Sequence, residues 1–559
     1  MLWAALACTT IAAGDWPRTV PESTGHARTS TVAEVRGFMR ALTRRDPALM
    51  PYRPKGAPIA TEAGKPLLAW RLRAKSKDAV RVYLNANIHA GEVEGKEAVQ
   101  LIVREFLQGL HPEARKHLDI VICPAYNADG TDALDPAIRK YQPNPPGLGP
   151  SGVGGGVGRR ENARGLDLNR DLMKVQAANT RWFLAMLQDF DPAVVFDLHT
   201  TNGSYHGFHL TYAPSLALGA DPALLAFNRY LLGEVRDGLK TKDLPTYDYG
   251  NFRPESLKPG ETPTGWETFD FRPRYLSNYP GLQNRLAILS EAYVYRSYPQ
   301  RIADTRVFVL ACLDWIAAHR DAVRRVTAEA RRRWLEGWKG LEGWKSKAPS
   351  LPLTAEFART ENYIFDVVQP LKNADGQITG EASRTTLELP SFVTWAPQDF
   401  VTVPTGYLID AAYAFKVRPV LEAHGIKVMR GSARPKSPLN FFHETDRKVA
   451  TQAFQGIISL TLKGAWTPDE SPHPMAPRWT EDDLDHALYV PLDQPLGRVA
   501  FYLLDPRSPD GLVFWGFFHE SLVRSDGAWG EPLRFPIVAV GATGEIAGSE
   551  PRPPAKKAE

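Results

Sequence analysis

Arg81-Val-Tyr-Leu-Asn-Ala-Asn-Ile88 followed by His89-Ala-Gly-Glu92 is the stretch on which the reading of this chain turns. The first eight residues form a run rich in apolar side chains that is bounded by a turn signal, the pattern of a buried strand. Gly91 then breaks the run, and Glu92 to Leu110 reads as a helix with Ala98, Leu101, Ile102 and Phe106 inward. A strand that runs out through a His, turns at a Gly and enters a helix at a Glu points both side chains into one crevice. In an open α/β sheet, ligands bind in the crevice outside the carboxyl ends of the strands. A bare His-x-x-Glu is also compatible with a capping Glu and a His at a helix start.

Working outward, strands and helices alternate. Thr31-Val-Ala-Glu34 is a capping box that opens a helix with Val32, Val35, Phe38, Met39 and Leu42 on one face. Asp119 to Ala125 predicts a strand, Gln176 to Phe190 a helix, and Ala193 to Leu198 and Leu286 to Leu289 two further strands. This rhythm predicts an α/β fold whose mixed, mostly parallel sheet is covered by helices on both faces. The Gly- and Pro-rich residues 141–158 predict a long loop. Asp304 to Trp344 predicts one or two helices, with Arg324, Arg325, Arg331, Arg332 and Arg333 on a solvated face.

Beyond a linker at Lys345 to Pro352 the pattern changes to short aromatic and β-branched strands. These are expected at Tyr363 to Val368, Phe400 to Val403, Ile457 to Leu462, Arg498 to Leu504 and Leu512 to Phe518, with one helix near Ala411 to His424. The domain reading is a signal segment at 1–20, a catalytic domain at 21–345, a separate mainly β accessory domain at 352–548 and a disordered tail at 549–559. Phe-Phe-His-Glu occurs at 441–444 and 517–520; four residues are too short for a repeat and read as strand aromatics.

Composition narrows the function. With 559 residues, 43% of them hydrophobic, and a net charge of +4, the chain is long enough for several cores and too weakly charged to imply a nucleic-acid partner. Its three cysteines, Cys8, Cys123 and Cys312, are too scattered for a disulfide scaffold or a thiolate metal site, so a metal must be held by His and carboxylate. After the N-terminus no run of 18 apolar residues predicts a membrane span. Met1 to Ala13 reads as a secretory segment that lacks a basic start, or as a buried N-terminal strand; the first reading predicts a secreted or periplasmic protein.

Two more strand ends repeat the geometry of His89. Ala193-Val-Val-Phe-Asp-Leu198 ends at His199 before a Gly turn, and Leu286-Ala-Ile-Leu-Ser290 ends at Glu291. A carboxylate closing an apolar run is costly to bury unless it is paired or works on a ligand.

In this order the residues resemble the carboxypeptidase A-like zinc carboxypeptidase family over roughly residues 30 to 320, in the long bacterial form with a C-terminal accessory region. The matching pieces are His89-Ala-Gly-Glu92, Asn127-Ala-Asp-Gly130, Arg160-Glu-Asn-Ala-Arg-Gly-Leu-Asp167-Leu-Asn169-Arg170, His199 and Glu291. The resemblance implies Zn2+ bound by His89, Glu92 and His199, Glu291 as the catalytic base, and Arg160 beside the developing oxyanion. It further implies that Asn169 and Arg170 grip the terminal carboxylate of a peptide substrate, and that Asp167 orients His89. Arg164 competes with Arg160, which is preferred for its spacing of nine residues before Asn169. The tyrosine that covers the substrate in many members is left open among Tyr247, Tyr249, Tyr275 and Tyr279.

The function expected is a zinc metallocarboxypeptidase that hydrolyses the C-terminal peptide bond. The alternatives are an aspartoacylase-like amidohydrolase of N-acyl amino acids and an inactive binding protein of the same fold. Asp197, two residues before His199, is open as a support for that ring or as an ordinary buried partner. His206 and His209 read as no second metal pair, because residues three apart on a strand face opposite sides. Gly152 to Gly158 lacks both the GxGxxG spacing and a Walker lysine and is read as a plain loop.

Overall fold

The computed structural model describes residues 16–138, 153–201, 203–255, 261–338, 348–374, 378–470, 478–522 and 534–544. Most of the expected signal segment, much of the Gly/Pro-rich loop, part of the linker and the tail from 549 lie outside the described residues.

Among the described residues ten strands precede the linker: β1 (Leu49–Tyr52), β2 (Ala69–Leu72), β3 (Val80–Ala86), β4 (Leu118–Cys123), β5 (Val194–Thr200), β6 (Leu210–Pro214), β7 (Thr246–Asp248), β8 (Asn251–Arg253), β9 (Gly265–Glu267) and β10 (Leu286–Ala292). Eight of them form one sheet in the order β1-β2-β4-β3-β5-β10-β6-β7. The pairs β3/β4, β3/β5, β5/β10 and β6/β7 are parallel, and β1/β2, β2/β4 and β6/β10 are antiparallel. The sheet is therefore mixed, with a parallel centre.

The period of two sorts the strand residues between two cores. Val82, Leu84, Phe196 and Ile288 face one core, where they meet α1 (Val32–Arg45), α2 (Glu94–Gln108), α4 (Pro222–Lys240) and α5 (Tyr298–Ala318). Tyr83, Val121 and Val195 face the other, against α3 (Ala178–Asp189). The capping box forms as read, with the Thr31 hydroxyl accepting from the Glu34 N–H and the Glu34 carboxylate accepting from the Thr31 N–H. A sixth helix, α6 (Arg320–Glu336), carries the arginine run, part of which is paired rather than free in solvent: Arg331 binds Asp191 and Arg333 binds Asp221.

The C-terminal region contains β11 (Ser350–Ala358), β12 (Glu361–Lys372), β13 (Ile378–Phe392), β14 (Thr394–Thr402), β15 (Gly406–Ile409), β16 (Met429–Arg430), β17 (Leu439–Val449), β18 (Leu460–Thr467), β19 (Leu488–Pro491) and β20 (Ile537–Val540). The last six form an antiparallel sheet in the order β16-β19-β15-β20-β17-β18, flanked by α7 (Ala414–His424). Its sheets are distinct from the large one, but its core is not. Tyr407, Val417, Phe501 and Trp515 lie in the same apolar cluster as Tyr83, Trp182 and Val195. β13 also pairs with β9, which belongs to the first half of the chain.

Two expected strands are something else. Arg498 to Leu504 lies in α8 (Gly497–Leu504), all of whose residues are buried; an apolar run this short reads equally as a buried strand or a buried helix. Leu512 to Phe518 is a chain of turns. The Phe517 N–H returns to the Leu512 carbonyl, which needs the left-handed Gly516 at φ +77°. The first Phe-Phe-His-Glu lies in β17, whereas the second lies in these turns and the short helix His519–Leu522, so the reading of both as strand aromatics fails for the second.

Candidate active site

β3 ends before the turn that carries His89 and Glu92, and Asn87 makes that turn. Its backbone is left-handed at φ +65°, a conformation Asn tolerates better than most residues. Its side-chain amide donates to the Ala90 and Glu92 carbonyls at 3.2 and 3.0 Å, and its Oδ1 accepts from the Thr131 hydroxyl at 2.7 Å. The helix starts at Glu94 rather than Glu92, because residues 89–92 are spent on the turn that presents both side chains. His199 comes from the end of β5, and the parallel register sets Glu291 of β10 directly beside it.

The side chains of His89, Glu92 and His199 converge, with one ligand atom from each lying within 4.8 Å of the others. All three are buried. His89 Nδ1 is 3.1 Å from Glu92 Oε1, and His199 Nδ1 is 2.8 Å from Glu92 Oε2. Each ring turns its other nitrogen to a carboxylate: His89 Nε2 lies 3.1 Å from Asp167 Oδ1, and His199 Nε2 lies 2.9 Å from Asp197 Oδ2. With the Nε2 protons on these carboxylates, the Nδ1 lone pairs face the middle of the cluster. A tetrahedral metal with ligands at about 2.0–2.2 Å needs donors roughly 3.3 Å apart, so this His-Glu-His set fits a divalent ion.

Burial disfavours a charged His199, but Asp197 and Glu92 outweigh it and hold the ring well above its ordinary value. Asp167 moves the other way: burial alone would raise it, and His89, Arg160 and Arg170 hold it well below the usual carboxylate range. Asp197 is itself fixed by Asn85 at 2.9 Å, whose Oδ1 accepts from the Tyr83 hydroxyl at 3.0 Å. Nothing in the local pattern singled out Asn85 or Asn87. Both sit in the apolar run, where their amides were the only available signal.

Arg160 reaches the cluster. Its guanidinium binds Asp167 Oδ2 at 2.9 Å and lies 3.1 Å from His89 Nδ1. Arg164 instead donates to the Gln176 carbonyl in an exposed contact. Asn169 closes on Asp167 through its N–H at 2.9 Å, and its Oδ1 accepts from the Leu276 N–H at 2.7 Å. Arg170 lies with its guanidinium 4.3 Å over the Tyr275 ring, and among the described residues it forms no ion pair.

His89, Glu92, His199, Arg160, Asn169 and Arg170, with Thr200, Tyr249, Phe269, Tyr275 and Glu291, line one cleft of about 190 Å³. Of the four tyrosines left open by sequence, Tyr249 and Tyr275 line it. The Tyr247 hydroxyl is bound to Glu361 and Ser391, and the Tyr279 hydroxyl to His424. His206 is not in the cleft. Its ring lies 4.2 Å from that of Tyr293, tilted by 31°, and burial pushes its pKa down to about 3.

Residues 35–189 match the family model described as "Zinc carboxypeptidase". In this stretch the chain is similar to the zinc carboxypeptidase family. The matched residues include His89, Glu92, Arg160, Asp167, Asn169 and Arg170; His199 and Glu291 lie beyond them and join the site through the sheet. No curated protein matches the sequence. Among solved structures, a metallo-carboxypeptidase from Burkholderia cenocepacia is similar at 15% identity, over 53% of this chain and 70% of that one, with a TM-score of 0.38. A metallo-carboxypeptidase from Pseudomonas aeruginosa, solved with (2-guanidinoethylmercapto)succinic acid, is similar at 16% identity over 52% and 70%, with a TM-score of 0.36. Bovine thrombin-activatable fibrinolysis inhibitor is similar at 14% identity over 54% and 99%, also with a TM-score of 0.36. Among the described residues, no helix is long and apolar enough to cross a membrane.

Proposed function

We propose that this chain is a zinc-dependent metallocarboxypeptidase that removes the last residue from peptides with a free C-terminal carboxylate. The observation that carries the reading is the cleft itself. It gathers a buried His-Glu-His set, a carboxylate at the next strand end and Arg170, which among the described residues has no carboxylate partner. Zn2+ held by His89, Glu92 and His199 would supply a Lewis acid and an acidified water near neutral pH.

The protein groups have separate tasks. Asp167 and Asp197 hold the imidazoles in one tautomer and orientation. Glu291, through a carboxylate oxygen, takes the proton of the attacking water and hands it to the leaving amine. Arg160 sets positive charge beside the carbonyl oxygen as it becomes anionic. Arg170 offers a planar fork to the substrate's terminal carboxylate, and Asn169 a neighbouring amide.

The test is a panel of N-blocked dipeptides, their C-terminal amides and N-acetyl-aspartate, each with and without a chelator. Chelator-sensitive hydrolysis confined to the free peptides is expected. Equal rates on amides and free acids would remove the clamp, and turnover of N-acetyl-aspartate alone would make the chain an amidohydrolase of N-acyl amino acids.

A further inference from the structure

The hairpin between β17 and β18 reaches from the C-terminal region to the active site. Its tip is closed by two backbone hydrogen bonds between Phe454 and Ile457, of 2.9 and 3.1 Å, so Gln455 and Gly456 are a two-residue turn. Both are left-handed, at φ +53° and +76°. A turn with two positive φ values favours Asn, Asp or Gly at its first position. Gln is strained there, and its side chain shows a use for the strain: its Oε1 accepts from the backbone N–H of Asp167 at 3.3 Å. Asp167 is the carboxylate that holds His89.

The residues around the tip fix its position. Phe454 stacks on Trp515, and the Arg274 guanidinium lies 5.2, 4.8 and 4.9 Å over the rings of Phe454, Phe514 and Trp515. Arg274 is buried and bound to Asp510 at 2.9 Å. Its neighbour Tyr275 is the ring under Arg170. One hairpin tip thus abuts both the support of a metal-ligating ring and the platform of the carboxylate clamp.

We propose that Gln455 is a positioning residue of the active site, through which the C-terminal region holds Asp167 and, with it, His89 in the geometry that binds the metal. The proposal rests on the reading of His89, Glu92 and His199 as a zinc site. It gives the C-terminal region a part in the reaction without placing any of its residues on the substrate.

The experiment compares Gln455→Gly, Gln455→Ala and Gln455→Glu in the full chain. Gly relieves the turn while removing the contact, and Glu keeps an acceptor oxygen in reach. Zinc affinity is read by competition with a chromophoric chelator, alongside kcat, KM and Tm. Supporting residues of metal ligands are worth 10- to 100-fold in affinity or activity; one link further out, Gln455→Gly and Gln455→Ala are expected to lose about 3- to 10-fold in zinc affinity and in kcat. KM should change little, Gln455→Gly should not lower Tm, and Gln455→Glu should recover most of the loss. Wild-type zinc affinity and kcat in Gln455→Gly would overturn the proposal, as would a Gln455→Glu as impaired as the Gly variant. A wild-type chain that takes up no zinc would instead overturn the metal reading beneath it.

Discussion

The parallel centre of the large sheet and the antiparallel C-terminal sheet both bury charge, and they treat it differently. In the C-terminal region Asp505 accepts from the Arg507 N–H, Nε and Nη2, from the Tyr407 hydroxyl and from Trp466 Nε1, partners gathered beside one helix end. At the ends of β3, β5 and β10, carboxylates and imidazoles bind one another around a shared centre that opens into a cleft. A buried charge surrounded by its own partners is structure; several aimed at one point are a site. The two regions nonetheless share one apolar core, so the second sort of site leans on the first sort of scaffold.

The comparison breaks most sharply if the centre can be emptied without harm. His199→Ala should lose stoichiometric zinc and all measurable turnover, while keeping the fold by circular dichroism. Full zinc at unchanged affinity would show that His199 is no ligand. Next in size, Glu291→Gln should keep zinc and lose several orders of magnitude in kcat, since Gln retains the shape but not the base. A loss of only about tenfold would place the base elsewhere.

Arg170→Ala should lower kcat/KM on free-acid peptides by about 30- to 1,000-fold, the equivalent of roughly 2 to 4 kcal/mol for a partly desolvated bidentate contact. Arg170→Lys should recover part of it. The corresponding amides should be indifferent to both changes. Against the shared core stands the linker reading: protease nicking in the Lys345 to Pro352 linker should leave the two fragments associated on size exclusion, since parting them would expose the common core and break the β9/β13 pairing. Separation into two soluble folded pieces would make the units independent.

The smallest effect is far from the centre. Arg28 holds Glu34 down at about 2, aided by the Thr31 capping contacts, although burial opposes it. The folded value lies below the unfolded one, so this stabilisation is present above about pH 4.5 and fades as pH falls towards 2. The pair is partly exposed and screened, so Glu34→Gln should cost about 1 kcal/mol near neutral pH and less in acid, read from urea unfolding at the two pH values.

While β1, β2, β6 to β9 and α4 went unread, the sequence by itself determined β3, β4, β5 and β10 and the helices α1, α2, α3, α5 and α6, with the capping box, the turn at His89 to Glu92 and the residue types at those strand ends. These are local matters, set by period, propensity and turn chemistry over a few residues. It misread Arg498 to Leu504, a short buried run that fits either element, and Leu512 to Phe518, where the chain turns at Gly516. Tertiary structure alone decided which strand ends meet. Glu291 stands beside His199 only because β10 pairs with β5 in that register, and a slip by one residue would turn it to the opposite face. It also decided that Gln455, 288 positions from Asp167, touches that residue, and that Tyr249 and Tyr275 rather than Tyr247 and Tyr279 line the cleft. Such contacts carry no local signature, because the free energy that fixes them comes from burying faces of distant segments against each other.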